Sequence, residues 1–178
     1  MNNISDHRPP HRYDDRSTYF LTGRIFQNIN LLKENLQKKI FLTVLKNLVS
    51  QYEIKLYAWV VLDNHYHLLF YLPRGAELKV FVNRLHSVVA LKLNKQNCSP
   101  GRKIWYQYWD HSIRDEADFW KHFNYIHHNP VKHGFCESQA ETFCYPFSSA
   151  KRWSKIKGEE WLDSCFEFYP IIDFTAGE

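Results

Sequence analysis

Apolar positions alternate or recur at fixed periods along most of this 178-residue chain. Tyr19 to Phe26 is rich in aromatic and β-branched residues, the composition of a strand. Leu32, Leu36, Ile40, Val44 and Leu48 then recur at helical spacing, and Leu31, Phe41, Leu45 and Val49 widen the stripe. This predicts a long amphipathic helix, with Asn28 and Asn30 on offer as caps. From Glu53 to Leu62 the pattern alternates, placing Ile54, Leu56, Ala58, Val60 and Leu62 on one face. Lys55, Tyr57, Trp59 and Val61 fall on the other. Asp63-Asn64 is a turn signal, and His65 to Leu72 completes a hairpin. A second helix follows, apolar at Leu78, Phe81, Val82, Leu85, Val88 and Val89 and charged at Lys79, Arg84 and Lys92. Lys103 to Arg114 is again strand-like, and Asp115 caps a third helix expected to end near His128, ahead of Pro130.

Strand, helix, strand, strand, helix, strand is the ferredoxin-like βαββαβ order of an α+β fold, an antiparallel sheet with two helices on one face. The additional helix toward the C-terminus is free to cover the second face. The chain divides into a flexible basic arm (1–18), a folded domain (19–135) and an irregular extension packed on it (136–178). No internal repeat is present.

Composition sharpens this only in places. Hydrophobic residues at 44% and charged residues at 24% describe a folded globule and exclude a disordered chain. A net charge of +4 is mild and selects no partner by itself. Aromatic content of 17%, with 11 Tyr and 6 Trp, is more informative, because surplus aromatics beside basic groups suit unpaired bases, although an aromatic core is the commoner use. Cys98, Cys136, Cys144 and Cys165 have no CxxC spacing and read as reduced thiols. The polar start lacks the form of a signal peptide and no stretch is long enough to span a membrane, so a cytoplasmic protein is expected.

Two motifs carry chemistry. In Asn64-His65-Tyr66-His67-Leu68-Leu69-Phe70, His65 and His67 share one strand face, where two imidazoles can chelate one divalent ion. Alone, such a pair is more often two surface histidines. In Asn124-Tyr125-Ile126-His127-His128-Asn129-Pro130, Tyr125 and Asn129 are one helical turn apart, so an amide oxygen and a phenol project together. Alone, that pair reads as packing and a cap. Together they describe three protein ligands around an ion with open positions, and a nucleophile beside it. Tyr125 would attack a phosphodiester, storing the phosphate covalently while a 3′-hydroxyl departs. His122 and His128, three residues to either side, could assist, though solvated histidines are the ordinary reading. Imidazole suits zinc, nickel or iron, and phosphate oxygens suit magnesium or manganese; Mg2+ or Mn2+ fits the mixed set.

The His65-Tyr66-His67 stretch resembles the His-hydrophobic-His motif of the single-tyrosine transposases. Trp109-Asp110-His111-Ser112-Ile113-Arg114-Asp115-Glu116-Ala117-Asp118-Phe119, then Tyr125 to Gly134, is similar to the transposases associated with repetitive extragenic palindromes (REP). Pro146-Phe147-Ser148-Ser149 resembles their closing segment, so the likeness runs from Tyr19 to Trp153. It implies a ferredoxin-like catalytic domain, Mg2+ or Mn2+, and cleavage at hairpins in single-stranded DNA through a 5′-phosphotyrosine. Position by position, His65, His67 and Asn129 match the family's metal ligands and Tyr125 its nucleophile. Asp63 stands where proline is common, and Tyr66 is bulkier than the usual aliphatic residue.

Candidate DNA contacts are Arg24, Lys55, Trp59, Lys103 and Arg114, basic groups for phosphates and an aromatic for stacking. Two rival readings differ in kind. One is a non-catalytic module of the same fold binding single-stranded nucleic acid; the other is a metal phosphoesterase using water, with Tyr125 as packing. A monomer and a homodimer are both compatible with the short link before Asp115.

Overall fold

The computed structural model describes residues 13–174. Its order is β1 (Ser17–Ile25), α1 (Asn35–Gln51), β2 (Lys55–Val61), β3 (His65–Leu72), α2 (Leu78–Gln96), β4 (Trp105–Ser112), α3 (Glu116–Lys132), α4 (Ala150–Lys157) and α5 (Glu159–Phe168). The sheet runs β2-β3-β1-β4, antiparallel throughout, which is the ferredoxin-like arrangement. Because β1 and β3 lie at the centre, both their faces are covered. On one face Phe41 of α1 packs against Tyr66 and Trp105, and Phe81 of α2 against Phe70. On the other lies α3, with Tyr125 against Phe20 and His67. Among the described residues no helix is long and apolar enough to cross a membrane.

Four local expectations need correction. Helix α1 starts at Asn35, capped by the Glu34 carboxylate and the reciprocal Gln37 side chain; Asn28 sits upstream in a turn at φ 54°. Strand β2 does not alternate throughout. The pairing jumps from Leu56–Phe70 to Ala58–Leu69, so Tyr57 is an extra residue and Lys55 and Trp59 end on opposite faces. Helix α3 continues through Pro130 to Lys132, because proline in the last turn forfeits only one backbone bond. Beyond Gly134 the chain is not irregular: α4 and α5 form, burying Ala150 of the first and Leu162 and Cys165 of the second. Of the proposed basic arm, residues 1–12 lie outside the described residues, and Ser17 and Thr18 already belong to β1.

Segment 147–149 closes the outer edge of β2, with Val61 N donating to Phe147 O and Ser149 N to Trp59 O. The two departures from the family pattern are both accommodated. Asp63 pairs with the buried Lys38 ammonium at 2.6 Å. Tyr66 lies across β1 where Gly23 has no side chain, and its hydroxyl meets His86 Nε2 at 2.8 Å.

A methyl group at Gly23 would stand 2.7 Å from the Tyr66 hydroxyl oxygen and still closer to its ring. Gly23→Ala is therefore expected to lower unfolding free energy by about 1–3 kcal/mol, the range for overpacked cores, as read from urea titrations. A second expectation concerns pH. His127 is fully buried with Nε2 on Ser149 Oγ at 2.7 Å, and burial pushes its pKa down to about 3. A depressed folded pKa contributes stability that is present above the unfolded value and lost as pH falls through the interval between them. Between pH 7.5 and pH 5 this residue should contribute about 2 kcal/mol of the loss, so the loss in His127→Gln should be smaller by that amount in the same titrations.

Candidate functional site

Strand β3 leaves the Asp63-Asn64 turn with His65 and His67 directed toward α3 and Tyr66 toward α1 and α2. The two rings lie 5.1 Å apart and are 8% and 1% exposed. Each is fixed through Nδ1. His67 Nδ1 meets Thr22 Oγ1 at 2.8 Å, its partner across the β1–β3 ladder, and His65 Nδ1 meets Asn64 Oδ1 at 2.7 Å. With Nδ1–H donated to Thr22, the His67 ring presents a lone pair at Nε2, which has no partner.

Helix α3 supplies the other half. The Asn129 side chain is fully buried; its Nδ2 donates to Tyr125 O one turn back at 2.8 Å, leaving Oδ1 without a hydrogen bond. The Tyr125 ring stands 5.2 Å from His67 at 69°, and it is 1% exposed. Lys132 Nζ lies 5.4 Å over that ring, and Phe174 covers it at 5.4 Å.

Electrostatics favours neutral imidazoles here. Burial is the largest cause for both. His65 is pushed down to about 3, with His133 and Arg24 adding to the shift and Asn129 opposing it. His67 is driven well below its ordinary value, with His65 as the next cause. Two neutral imidazoles and one amide oxygen, two of these donors buried and unpartnered, fit a divalent cation.

A second cluster escaped the motif reading. His111 Nε2 lies 2.8 Å from Asp118 Oδ2, and His122 Nδ1 lies 3.1 Å from Asp118 Oδ1. The three groups are close enough for an ion, with ligand atoms within 4.8 Å of one another. Asp118 also accepts from Arg114 N at 3.1 Å, however, and its oxygens are already engaged. Burial raises the Asp118 pKa, but the His111 bond and the Arg114 N–H outweigh it and hold the carboxylate low. The cluster fastens the first turn of α3 to β4. Asp118 and His122 are four apart on the helix, a spacing readable in advance; His111 joins them only through its pairing with Phe20 on β1. His128, the other proposed assistant, turns away to Gln139 Oε1 at 2.8 Å.

The candidate DNA contacts do not form one surface. Arg24 pairs with His65 across the ladder, and Lys103 lies over Phe26 at 4.3 Å near the same end of the sheet. Lys55 lies over Tyr71 at the far end, and Arg114 sits before α3 with Nε 3.4 Å from Asp118. Trp59 lines a hollow of about 400 Å³ with Lys151, Arg152 and Lys155 of α4. That basic run was legible: α4 carries Lys151, Arg152, Lys155 and Lys157 without an acid, and α5 opens with Glu159-Glu160.

Comparison with known proteins identifies its relatives. The family described as IS200-like transposases matches residues 24–129. A REP-associated tyrosine transposase of Escherichia coli is 33% identical over 128 residues, covering 68% of this chain and 67% of that one. A putative REP-associated tyrosine transposase of Haemophilus influenzae is 33% identical over 133 residues, covering 68% and 74%. The solved structure of a REP-associated tyrosine transposase bound to a REP hairpin superposes with a TM-score of 0.70 at 26% identity, over 98% of both chains. With the family matched across the strands and the helix that build the site, the chain belongs to the IS200-like transposases, among relatives of the REP-associated tyrosine type.

Proposed function

We propose that this protein cleaves and rejoins single-stranded DNA at hairpins of repetitive palindromic elements, with Tyr125 as nucleophile and His65, His67 and Asn129 as ligands of Mg2+ or Mn2+. The observation that carries the reading is the pair of buried, unpartnered donors, His67 Nε2 and Asn129 Oδ1, beside a phenol ring 5.2 Å from His67. Leaving such atoms bare costs stability. Asn124 Oδ1 and His127 Nδ1 of the same helix are bare too, so it is the place of these two, beside Tyr125 and His65, that favours a ligand over packing.

When bound, the ion would polarise a phosphodiester oxygen and offset charge developing in the transition state. The chain's own residues do the rest. Thr22 and Asn64 fix the imidazole orientations, and the bond from Asn129 to the Tyr125 carbonyl aims Oδ1 toward them. Tyr125 Oη forms the new bond to phosphorus as the P–O3′ bond breaks; the phenol proton departs, and the leaving oxygen takes up a proton as a 3′-hydroxyl. The reverse attack by another 3′-hydroxyl rejoins strands without an external energy source. Because Tyr125 is 1% exposed, Phe174 has to move aside for DNA to reach it.

The test incubates the full chain with labelled hairpin-bearing single-stranded DNA from its gene's flanks and Mn2+, then resolves products on a denaturing gel. A protein–DNA adduct is expected, falling by roughly 10³-fold or more in Tyr125→Phe and disappearing with a chelator. Cleavage without an adduct, unchanged in the Phe variant, would instead mean a water-using phosphoesterase. Binding without cleavage across several hairpins would mean a non-catalytic module. A subtler variant probes the ligand support: Thr22→Val should raise the Mn2+ concentration for half-maximal adduct by roughly 10–100-fold, with adduct yield recovering at saturating metal.

A further inference from the structure

A buried ammonium stands behind the turn that delivers His65. Lys38 on α1 is 4% exposed; its Nζ lies 2.6 Å from Asp63 Oδ1 and donates to Lys33 O at 3.2 Å. The rings of Phe135 and Phe147 face the same cation at 5.6 and 5.3 Å. The ammonium is therefore held from α1, from the segment after α3 and from the segment that closes β2. Asp63 belongs to a two-residue turn closed by Leu62 N on His65 O at 2.9 Å. Its carbonyl accepts from Leu32 N at 2.8 Å, while its own N–H donates to no group among the described residues.

We propose that Lys38 and Asp63 are positioning residues for the metal site, clamping the 63–64 turn so that the His65 ring stays directed toward α3. The inference rests on the metal-ligand reading above and deepens it. The path is short. Lys38 holds Asp63, Asn64 follows directly, and Asn64 Oδ1 meets His65 Nδ1 at 2.7 Å. Asn64 is secured from the other side, its carbonyl accepting from Ile25 N at 2.7 Å and its Nδ2 donating to Asn28 O at 3.2 Å. Stability alone is a poor reason for the pair. Both charges give up water, and apolar replacements for buried ion pairs are often neutral or stabilising. What such a pair supplies is one geometry, and the geometry fixed here is that of the residue two before a proposed ligand.

The experiment titrates Mn2+ into the full chain without DNA and follows the free ion by electron paramagnetic resonance. Loss of binding in His67→Ala shows that the signal reports this site. Lys38→Met keeps a flexible apolar stem among the aromatic rings and removes the charge. It should raise the Mn2+ dissociation constant by roughly tenfold, the scale for losing a group that orients a metal ligand. Adding Asp63→Pro to Lys38→Met should recover most of that affinity. Proline fixes a negative φ covalently, φ at Asp63 is negative, and the N–H given up has no partner. Urea titrations verify that each variant is folded. Unchanged Mn2+ affinity in Lys38→Met, or a loss that Asp63→Pro leaves in place, would overturn the proposal. Absence of any Mn2+ binding sensitive to His67→Ala would remove it together with the metal assignment. The adduct gel separates the clamp from strand cleavage: the expected affinities without an adduct leave the clamp and remove the cleavage, and an adduct with unchanged affinity in Lys38→Met does the reverse.

Discussion

The two halves of the candidate site come from different elements, the histidines from β3 and the phenol and amide from α3, so the site exists only while α3 holds one register on the sheet. Ridge packing alone would leave that register soft. What fixes it is polar: Asp118 grips His111 of β4 at the first turn, His127 reaches Ser149 at 2.7 Å farther along, and Asn124 Nδ2 reaches Cys165 O and Tyr169 O at 2.6 and 2.7 Å. The bonds to Ser149 and Cys165 are buried and the other two partly so, and a shift of one turn would strand each of them. The C-terminal helices thereby act as part of the site's frame, since Ser149 and Cys165 both belong to the region after Gly134.

The same need for fixed placement explains Gly23 and Thr22. Adjacent on β1, they face opposite ways and serve opposite faces of β3. Gly23 makes room for the Tyr66 ring on the side of α1 and α2, and Thr22 orients His67 on the side of α3. An unusually bulky residue between the two histidines is thus absorbed on the face that carries no chemistry, and the spacing of the histidines is preserved.

Much of this was legible in the chain. A period near 3.6 over Leu32 to Leu48 and the turn at Asp63-Asn64 place α1 and the hairpin because one physical pattern dominates there. The two motifs were legible for the same reason, since period two and period four each put their pair on one face. What escaped were features set by register. The extra residue Tyr57 leaves the letters of β2 alternating, because a strand covered on both sides tolerates apolar residues at every position. The partnership of His111 with Asp118 and His122 needed the β1–β4 pairing, which no local pattern encodes. Helices α4 and α5 are short, and their aromatic and charged residues carry a weaker periodic signal than a long stripe does.

Burial of His65 and His67 has a chemical consequence as well as a structural one. A metal ligand must be a deprotonated imidazole, and in water near neutral pH a proton competes for that lone pair. Here the low-polarity surroundings, reinforced by Arg24 and His133, have already removed the competitor, so the donors stay neutral well into the acid range. The arrangement also discriminates between cations. A proton would bring charge into the pocket with nothing to neutralise it, whereas a divalent ion held by these donors together with a DNA phosphate would arrive with its counter-charge. If the proposed ligands hold the ion, metal and nucleic acid would stabilise each other in the site. The proposed set of two imidazoles and an amide would then need no carboxylate from the protein.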